Sequence, residues 1–430
     1  MKKGFLKRTL LMMIVCLMAL QGVALADSTV VSDKEFTLTV WVQTESSVLE
    51  NNPVLRTAIE LYKEIYPNAT VNVEGKGRPE ELYDALTIAM SAGSAPDLFW
   101  SNLGQVMSFY VKNGQLESLT KYAEQYGWFD VFPAFDYQNG VYGDVYGLPN
   151  VLNVMGIWYK TDIFEKYGLT EPTTYQELLD TCATLKENGV IPMAMAGKFP
   201  AIITRLLDAI LEMEGGAEYH DAVLSGTASF NTPAIVDTFA TYKRDWVDTG
   251  YFQEGFLGAE ETEVYMLWYP SKACFWPSGT WEIGNAVTNE MDLSDFGFFA
   301  FPTGTERRLI SFGDSYFMTK GSQLKDEAAA FLNCLASMEA HKSYQEQFGD
   351  SNQARIGSID TTNIPAVKAK IQDFIANTGS FIPTNEIGLD PKMTDVWFEC
   401  IDLVTLGEMT PEEAAIRLDE RAIEYGWYVK

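Results

Sequence analysis

The chain has 430 residues, of which 47% are hydrophobic and 21% charged, and it carries a formal net charge of −28. This length and balance are typical of a globular protein of two or three domains. A surface this acidic repels nucleic acid and anionic lipid, which excludes both as partners.

Residues 1–26 have the three-part organisation of a secretory signal peptide, with a predicted cleavage after Ala26. Four basic residues within 1–8 precede an apolar run over 9–20. That run is too short for a transmembrane helix, which needs about 20 residues, and an uncleaved anchor is the alternative. Cys16 follows branched residues rather than the small ones of a lipobox, which disfavours a lipid anchor without excluding it. Cleavage would leave 404 residues with a net charge near −32 on the periplasmic or extracellular side.

Strands alternate with amphipathic helices in the first part of the mature chain. The predicted strands cover 36–43, 69–75 and 97–100, and the predicted helices cover 53–65, 79–92 and a segment from Gly104. Alternating β-branched residues indicate the strands, and apolar residues at helical spacing indicate the helices. This alternation is typical of βαβ units on a mainly parallel sheet.

Segment 146–179 predicts an ordered passage from a strand into two helices. A buried strand over 151–159 is followed by a short helix after Thr161 and a turn at Gly168. The sequence Pro-Thr-Thr over 172–174 then caps a second helix.

The remaining elements continue the α/β pattern. Strands are predicted over 191–196, 273–276, 296–302 and 315–321, and helices over 201–213, 233–248, 324–336 and 393–406. A final helix begins at a capping box formed by Thr410 and Glu413, with a proline at its first position.

Four cysteines would remain after cleavage, at Cys182, Cys274, Cys334 and Cys400. They are widely spaced and form no C-x-x-C pair, which argues against a zinc site. Buried free thiols in helices are favoured, and disulfides formed after export are the alternative.

The sequence offers little support for catalysis. Its two histidines, His220 and His341, are too few for a histidine metal cluster, and neither is predicted at a strand end. The G-x-S-x-G, P-loop and G-x-G-x-x-G motifs are absent from the sequence. Among 59 acidic residues a carboxylate pair with glycosidase spacing remains possible, but nothing in the sequence singles one out.

Tryptophans lie where predicted strands end, in a chain of which 13% is aromatic. Trp41 is in the first strand, Trp100 ends the third strand, and Trp281 begins a helix. Open α/β sheets bind ligands at strand ends, and flat indole rings suit the C–H faces of sugars. The pattern therefore indicates carbohydrate binding, with ordinary core aromatics as the alternative.

Several segments resemble the family 1 extracellular solute-binding proteins, the ligand-capturing subunits of bacterial ABC importers. The matching segments are 92–102, 146–160, 194–204, 272–284 and 312–322, and the likeness covers nearly the whole mature chain. Lys160 is a departure, because many members have asparagine there. The resemblance implies an α/β, two-lobed periplasmic-binding-protein fold (class II-like). Each lobe would be a mainly parallel sheet flanked by helices, with the ligand cleft between the lobes.

The resemblance also implies lobes that are discontinuous in sequence. The chain would cross between them near Asn150, Asp314 and Ser358. The N-terminal lobe is then expected to comprise 34–150 plus 314–357, and the C-terminal lobe 151–313 plus 358–430.

Ligand contacts are expected, from the resemblance and from the aromatic pattern, at Trp41, Gln43, Glu45, Trp100, Ser101, Asn102, Asn153, Lys198, Phe199, Gly279, Trp281 and Asp314. Trp281 is the strongest candidate, because it matches the tryptophan that commonly stacks on a bound sugar. A carboxylate such as Glu45 suits vicinal hydroxyls, from which it can accept two hydrogen bonds.

The first functional hypothesis is a monomeric binding protein that closes over a mono- or oligosaccharide and delivers it to an ABC permease. It predicts no catalytic residue, no metal and no cofactor. Two alternatives remain open at this point: a secreted carbohydrate-active enzyme with paired carboxylates, and a ligand-sensing partner of a receptor kinase.

Overall fold

The computed structural model describes residues 31–43, 49, 52–77, 79–102, 105–132, 135, 143–304, 308–348, 354–360, 362, 364–377 and 380–428. The predicted signal peptide over 1–26 and the predicted ligand contact Glu45 therefore lie outside the described residues.

Nine strands are described. They are β1 (Thr37–Val42), β2 (Thr70–Gly75), β3 (Leu98–Asn102), β4 (Gly147–Lys160), β5 (Ile191–Met193), β6 (Ala273–Gly279), β7 (Phe296–Phe299), β8 (Arg308–Met318) and β9 (Ser380–Pro383). They form one sheet in the order β2-β1-β3-β8-β4-β6-β5, with β7 paired to β4 and β9 paired to β8.

Sixteen α-helices are described between and after these strands. They are α1 (Pro53–Ile65), α2 (Pro79–Ala92), α3 (Gln105–Lys112), α4 (Thr120–Tyr126), α5 (Thr161–Tyr167), α6 (Tyr175–Glu187), α7 (Pro200–Leu224), α8 (Pro233–Tyr242), α9 (Glu261–Trp268), α10 (Glu282–Thr288), α11 (Lys325–Leu335), α12 (Met338–Phe348), α13 (Ala366–Asn377), α14 (Asn385–Gly388), α15 (Pro391–Leu406) and α16 (Pro411–Glu424).

Helix ends follow the local sequence signals. Thr174 and Glu177 exchange hydrogen bonds in a capping box that begins α6. The predicted box of Thr410 and Glu413 is confirmed at the start of α16. Gly168 ends α5 at a φ of 63°, a left-handed conformation that glycine adopts without a Cβ clash.

Two long strands connect the two ends of the sheet. The first part of β4 pairs with β8, from Gly147 opposite Phe317 to Val154 opposite Ser311. The second part pairs with β6 and β7 over 155–160. One continuous strand therefore belongs to both ends of the sheet.

Two large hydrophobic clusters flank this connection. The first core includes Leu38, Leu98 and Phe331, and the second core includes Trp158, Trp276 and Trp397. Strand β4 contributes Leu148 to the first core and Val154 to the second, and β8 contributes Tyr316 and Ile310 in the same way. The lobe boundaries expected near 150 and 314 fall between these contributions and stay a prediction.

The α/β class is confirmed, but the sheet is mixed. The parallel pairs are β1–β2, β1–β3, β5–β6 and β8–β9, and the antiparallel pairs are β3–β8, β4–β6, β4–β7 and β4–β8. The expectation of mainly parallel lobes fails because β4 runs against β6, β7 and β8, and β8 also runs against β3, which βαβ reasoning alone does not foresee.

Several predicted boundaries are corrected. Strand β4 begins at Gly147 rather than Val151, and β8 begins at Arg308 rather than Ser315. Helix α7 extends to Leu224, beyond the predicted end at Met213, and non-helical Gly216 (φ 74°) marks a kink inside it. The predicted helix over 233–248 is α8 followed by a π-helical turn over Lys243–Val247.

The cysteine prediction is confirmed for the part of the chain described. All four of its cysteines are buried and free, at Cys182, Cys274, Cys334 and Cys400. Three lie in helices as predicted, whereas Cys274 lies in β6. Among the described helices, none combines the length and the apolar character needed to cross a membrane.

Candidate functional site

The carboxyl ends of β1 and β3 bring several predicted contacts to one edge of the sheet. These two strands are parallel neighbours, and they place Trp41 beside the strand that carries Trp100. Asn102, the last residue of β3, lies opposite Asp314 on β8. Gln43 directly follows β1 and is exposed. Five of the predicted contacts therefore lie along this edge, at the place expected for a ligand.

The ring of Trp41 already has a charged partner. The Lys76 ammonium lies 3.9 Å from the ring centroid, and it also pairs with the Glu74 carboxylate at 2.7 Å. Such a cation–π contact occupies one face of the ring, which is then closed to a stacking sugar. Trp41 consequently has less open stacking surface than its sequence position suggests.

Asp314 lies at the centre of the connection between the strands. Its carboxylate accepts a hydrogen bond from Asn150 Nδ2 at 2.8 Å, and the Trp100 indole and the Val151 N–H also donate to it. Asp314 is half-buried, and desolvation nevertheless raises the pKa of this carboxyl to about 7, because it disfavours the charged form. Asp314 thus connects β3, β4 and β8 through one carboxyl group.

Two of the predicted polar contacts are buried. Ser101 donates to the Asn102 carbonyl at 3.3 Å, and Asn153 accepts from the Thr280 hydroxyl at 3.3 Å. Both side chains have less than a tenth of their surface exposed. They therefore support the backbone around the cleft in this conformation.

Trp281 lies at the carboxyl end of β6, immediately before α10. Its ring lies so close to Gly279 that a Cβ added there would be 1.8 Å from Cζ3 of the indole. The Arg205 guanidinium lies over the same indole, with Cζ 4.9 Å from the ring centroid. A glycine and an arginine therefore fix the position of this half-buried ring.

A buried carboxylate holds the turn that carries Trp281. Glu282 Oε1 accepts from Trp276 Nε1 at 2.9 Å and from Ser278 Oγ at 2.7 Å. Asn285 Nδ2 donates to Oε2 at 3.2 Å. Burial raises the pKa of Glu282, while these donors act in the opposite direction. The network ties β6 to the first turn of α10, so Trp281 is presented from a rigid base.

Lys198 and Phe199 lie at the surface where α7 begins. Lys198 forms an ion pair with Glu260 between two exposed side chains. Phe199 is 52% exposed, and its ring centroid is 6.1 Å from that of Phe398. These contacts connect Lys198 to the loop before α9 and Phe199 to α15.

The structure adds polar residues beside Trp281 that the sequence reasoning missed. Arg205 and Asp208 lie one turn apart on α7, next to Asn385 and Glu386 at the start of α14. The signal in the sequence was charge at helical spacing within an otherwise apolar helix. Helix α14 also lies against α3, which follows β3 closely in the chain. This polar group therefore lies between the two halves of the molecule.

Metal binding finds no support in the described part of the chain. No group of three or more His, Cys, Asp or Glu side chains there is arranged to hold an ion. His220 contacts Glu212 at 2.9 Å. His341 lies beside Phe132, and burial lowers its pKa to about 3. Both histidines are therefore core residues, and His341 is less polar in its surroundings than expected.

Comparison with known proteins finds relatives that are named as binding proteins. A probable sugar-binding periplasmic protein of Rhizobium meliloti is 27% identical over 80% of this chain and 84% of its own length. An uncharacterized ABC transporter extracellular-binding protein of Pyrococcus horikoshii is 25% identical over 75% of this chain and 73% of its own. Such relatives are binding proteins.

Solved structures agree on the architecture. A chitin oligosaccharide binding protein superposes with a TM-score of 0.81 at 21% identity, covering 91% of this chain and 98% of that one. Its fold and those of similar neighbours confirm the two-lobed α/β class. The profile described as bacterial extracellular solute-binding protein matches residues 47–342, and the chain belongs to this family of bacterial extracellular solute-binding proteins.

Proposed function

We propose that this chain captures a mono- or oligosaccharide as the solute-binding subunit of an ABC importer. The observation that carries the proposal is the family match together with the wall of Trp281, Arg205 and Glu386 beside the cleft. Relatives named for sugars support it, among them a diacetylchitobiose binding protein of Streptomyces coelicolor that is 26% identical over 56% of this chain.

Capture proceeds by closure of two lobes about the strands that connect them. The N-terminal lobe supplies Trp100 and Asn102 from β3, and the C-terminal lobe supplies Trp281 from the end of β6. Stacking on an indole ring holds the apolar face of a sugar, while amide and carboxyl groups hydrogen-bond its hydroxyls. Closure excludes water and strengthens these polar contacts.

The partners and the location follow from this role. The chain is exported by its signal peptide, with cleavage after Ala26, and acts as a monomer on the outer side of the cytoplasmic membrane. It delivers the sugar to a permease, and ATP is hydrolysed on a separate chain, because this sequence has no P-loop motif. The net charge of the full sequence, −28, becomes near −32 after cleavage and makes nucleic acid an unsuitable partner.

A thermal-shift screen tests the proposal. The panel contains N,N′-diacetylchitobiose, xylobiose, maltose, galactose and tagatose, each at millimolar concentration with the mature protein. We expect at least one to raise the melting temperature by several degrees, since a ligand at 100 times its Kd adds about 2.7 kcal/mol to the stability of the folded state. An unchanged melting temperature across this panel and a wider saccharide library would contradict carbohydrate capture.

Substitution of Gly279 tests the placement of Trp281. In Gly279→Ala the new methyl group would overlap the indole, so the ring must leave its position. We expect the affinity for the sugar found in the screen to fall by about tenfold or more, a loss of at least about 1.4 kcal/mol, measured by calorimetric titration.

Gly284→Ala is the matched control for this substitution. Gly284 lies in α10, five positions along the chain, and a Cβ added there meets nothing within 4 Å. The control should keep its sugar affinity and gain up to about 1 kcal/mol of stability, because alanine is the better helix former. Equal affinities for the two variants would mean that the Trp281 ring is not part of the site.

A further inference from the structure

Both connecting strands pass from one hydrophobic core to the other beside Asp314. On β8, Asp314 lies between Tyr316, which belongs to the first core, and Ile310, which belongs to the second. On β4, the register with β8 shifts between Pro149 and Val151, which is a bulge next to Asp314. A bulge bends a strand and interrupts its pairing. A change in the angle between the two cores is therefore expected to be concentrated around this residue.

The carboxyl group of Asp314 holds the bulge in place. Asn150, the residue left unpaired in the bulge, donates from Nδ2 to Oδ1 at 2.8 Å. The Val151 N–H and the indole of Trp100 on β3 donate to the same carboxyl. A carboxylate has about four lone-pair positions, so the protein itself supplies donors for three of them. Asp314 therefore has little capacity left for a sugar hydroxyl.

Trp100 connects this carboxyl to the sugar site of the proposed function. Its ring is partly buried against the first core, and β3 ends two residues later at Asn102, which pairs with Asp314. An indole N–H can only donate, so the bond to Asp314 fixes how the ring is turned. Without that acceptor, the face of the ring that stacks on a sugar would lose its fixed orientation.

The groups that face Asp314 are uncharged near neutral pH. They are Trp100 on β3, Asn150 on β4 and Tyr316 on β8, and Tyr316 is bonded in turn to Asn52 at the start of α1. Burial, with the nearby Asp314, raises the pKa of the Tyr316 hydroxyl well above its ordinary value. Among the described residues, no charged side chain contributes to the pKa of Asp314. Its protonation therefore depends on its solvation and on its three donors.

One more segment packs against the bulge. The Ala354 N–H donates to the Asn150 carbonyl at 3.0 Å. The basic residue that follows it, Arg355, donates from Nε to the Ala336 carbonyl at 2.8 Å. That guanidinium is held away from the carboxyl of Asp314, which keeps the surroundings of the carboxyl free of charge.

Closure of the cleft should change the solvation of Asp314. The residue is half-buried in this conformation, so part of its surface still meets solvent between the two halves. Closure removes water from that place, and desolvation favours the neutral form of a carboxyl. The donors on β3 and β4 are already in place, so no new hydrogen bond offsets the effect. Closure is therefore expected to favour proton binding at Asp314.

We propose that Asp314 is a positioning residue of the sugar site, which holds the Trp100 indole at the bulge between the two halves and takes up a proton when the cleft closes. The role rests on the proposed function and adds a regulation of that site by pH. A proton that binds on closure also favours closure, by linkage. The sugar is therefore held most tightly where the open form is already protonated, and the gain is lost as the pH rises through the pKa of the closed form.

Calorimetric titration in two buffers measures this proton. The mature protein is titrated at pH 7, in phosphate and in Tris, with whichever of N,N′-diacetylchitobiose, xylobiose, maltose, galactose or tagatose raises its melting temperature. These sugars carry no group that titrates near pH 7, so a difference in heat between the buffers reports protons bound by the protein. We expect an uptake of about 0.2–0.5 proton per sugar and a Kd about two- to threefold weaker at pH 8 than at pH 6.

Two substitutions at this position separate the proton from the hydrogen bonds. Asp314→Asn keeps an acceptor for Trp100, so at pH 6 it should bind the sugar within about threefold of the parent, with no proton uptake and no pH dependence. Asp314→Ala removes the acceptor and should weaken binding about tenfold or more. Circular dichroism and the unliganded melting temperature must first show that each variant is folded. If Asp314→Ala does not fold, the proton uptake of the parent and of Asp314→Asn still decides.

Asp360→Asn is the matched control. Asp360 is an exposed carboxyl that accepts from the N–H and the hydroxyl of Thr362. The same chemical change there should leave both the sugar affinity and the proton uptake of the parent unaltered.

Three results would overturn the inference. Release of a proton on binding would mean that sugar hydroxyls donate directly to Asp314, which makes it a ligand contact and not a positioning residue. Zero uptake in the parent, or equal uptake in the parent and Asp314→Asn, would remove Asp314 from the linkage while leaving carbohydrate capture intact. Failure of every saccharide to bind the parent between pH 6 and pH 8 would overturn the proposed function and the inference together.

Discussion

Replacing Trp281 with alanine should abolish the rise in melting temperature that a bound sugar produces. The substitution removes the indole of the C-terminal wall, the ring on which Arg205 lies. Truncation of a buried aromatic anchor typically costs about 2–4 kcal/mol of binding free energy, which is roughly 30- to 1000-fold in Kd. Calorimetric titration with the sugar found in the screen measures this loss directly.

Trp427→Ala is the control for this substitution. Trp427 is also partly buried, and its indole donates to the Val223 carbonyl near the end of α7, in a different part of the second core. Its loss should lower the unliganded melting temperature while leaving the ligand-induced shift in place. If Trp281→Ala kept the full shift, the indole would have no place in the site.

Local signals in the sequence were sufficient to place Trp281 at the start of a helix, as the structure has it, and its role as a ligand contact stays a prediction. The turn between β6 and α10 is encoded within a few residues: Gly279 leaves room for the ring, and Glu282 fixes the turn through Trp276 and Ser278. The capping box at Thr174 is local in the same sense. Features determined by neighbouring residues could therefore be predicted well.

The polar partners of Trp281 could not be found in this way. Arg205 and Glu386 are 181 positions apart and meet only because α14 returns to the face of α7. In the sequence, Arg205 is a charged residue in a helix that is otherwise typical of the hydrophobic core. The long reach of β4 and β8 was missed for the same reason, since pairing in a mixed sheet depends on which distant strands become neighbours.

The sequence overstated the case for Trp41 as a stacking residue. Its position in β1 made it a natural candidate for stacking, yet Lys76 lies over its ring. Lys76 comes from the end of β2, more than thirty residues later in the chain. Its role as a ligand contact stays a prediction, with Trp100 the better placed indole of that lobe through its bond to Asp314.

The stability of the protein should depend on pH through Asp314. The unfolded chain releases this proton near the ordinary value of 3.8, whereas the folded protein holds it up to a pKa of about 7. Between these values the folded state binds more protons than the unfolded state, so the free energy of unfolding falls as the pH rises. Over the whole interval from pH 3.8 to about pH 7, the free energy of unfolding falls by roughly 4 kcal/mol through this group.

The buried side chain of His341 changes the free energy of unfolding with pH in the opposite direction. The pKa of His341 is lowered from 6.5 to about 3, because burial disfavours its charged form. The unfolded chain then binds the extra proton, and the free energy of unfolding falls as the pH drops from 6.5 towards 3. The two effects partly cancel in the parent protein, so its own pH profile does not isolate Asp314.

The substitution Asp314→Asn separates the contribution of Asp314 from that of His341. The free energy of unfolding of this variant, relative to the parent, should rise by about 2–3 kcal/mol between pH 5 and pH 8, because only the parent must ionise a desolvated carboxyl. Urea denaturation at a series of pH values measures this difference, in which the contribution of His341 cancels. The amide oxygen can still accept from Asn150 or Trp100, so the change reports the charge more than the loss of a contact.

Asp360→Asn provides the matched control. Hydrogen bonds from the hydroxyl and N–H of Thr362 lower the pKa of Asp360 below 3.8, so this group changes the free energy of unfolding only under more acidic conditions. The difference in free energy of unfolding between Asp360→Asn and the parent should stay constant from pH 5 to pH 8. A flat difference for Asp314→Asn as well would mean that water or a nearby cation reaches this carboxyl. A sloping difference would identify the connection between β3, β4 and β8 as a place where the folded protein holds a proton near neutral pH.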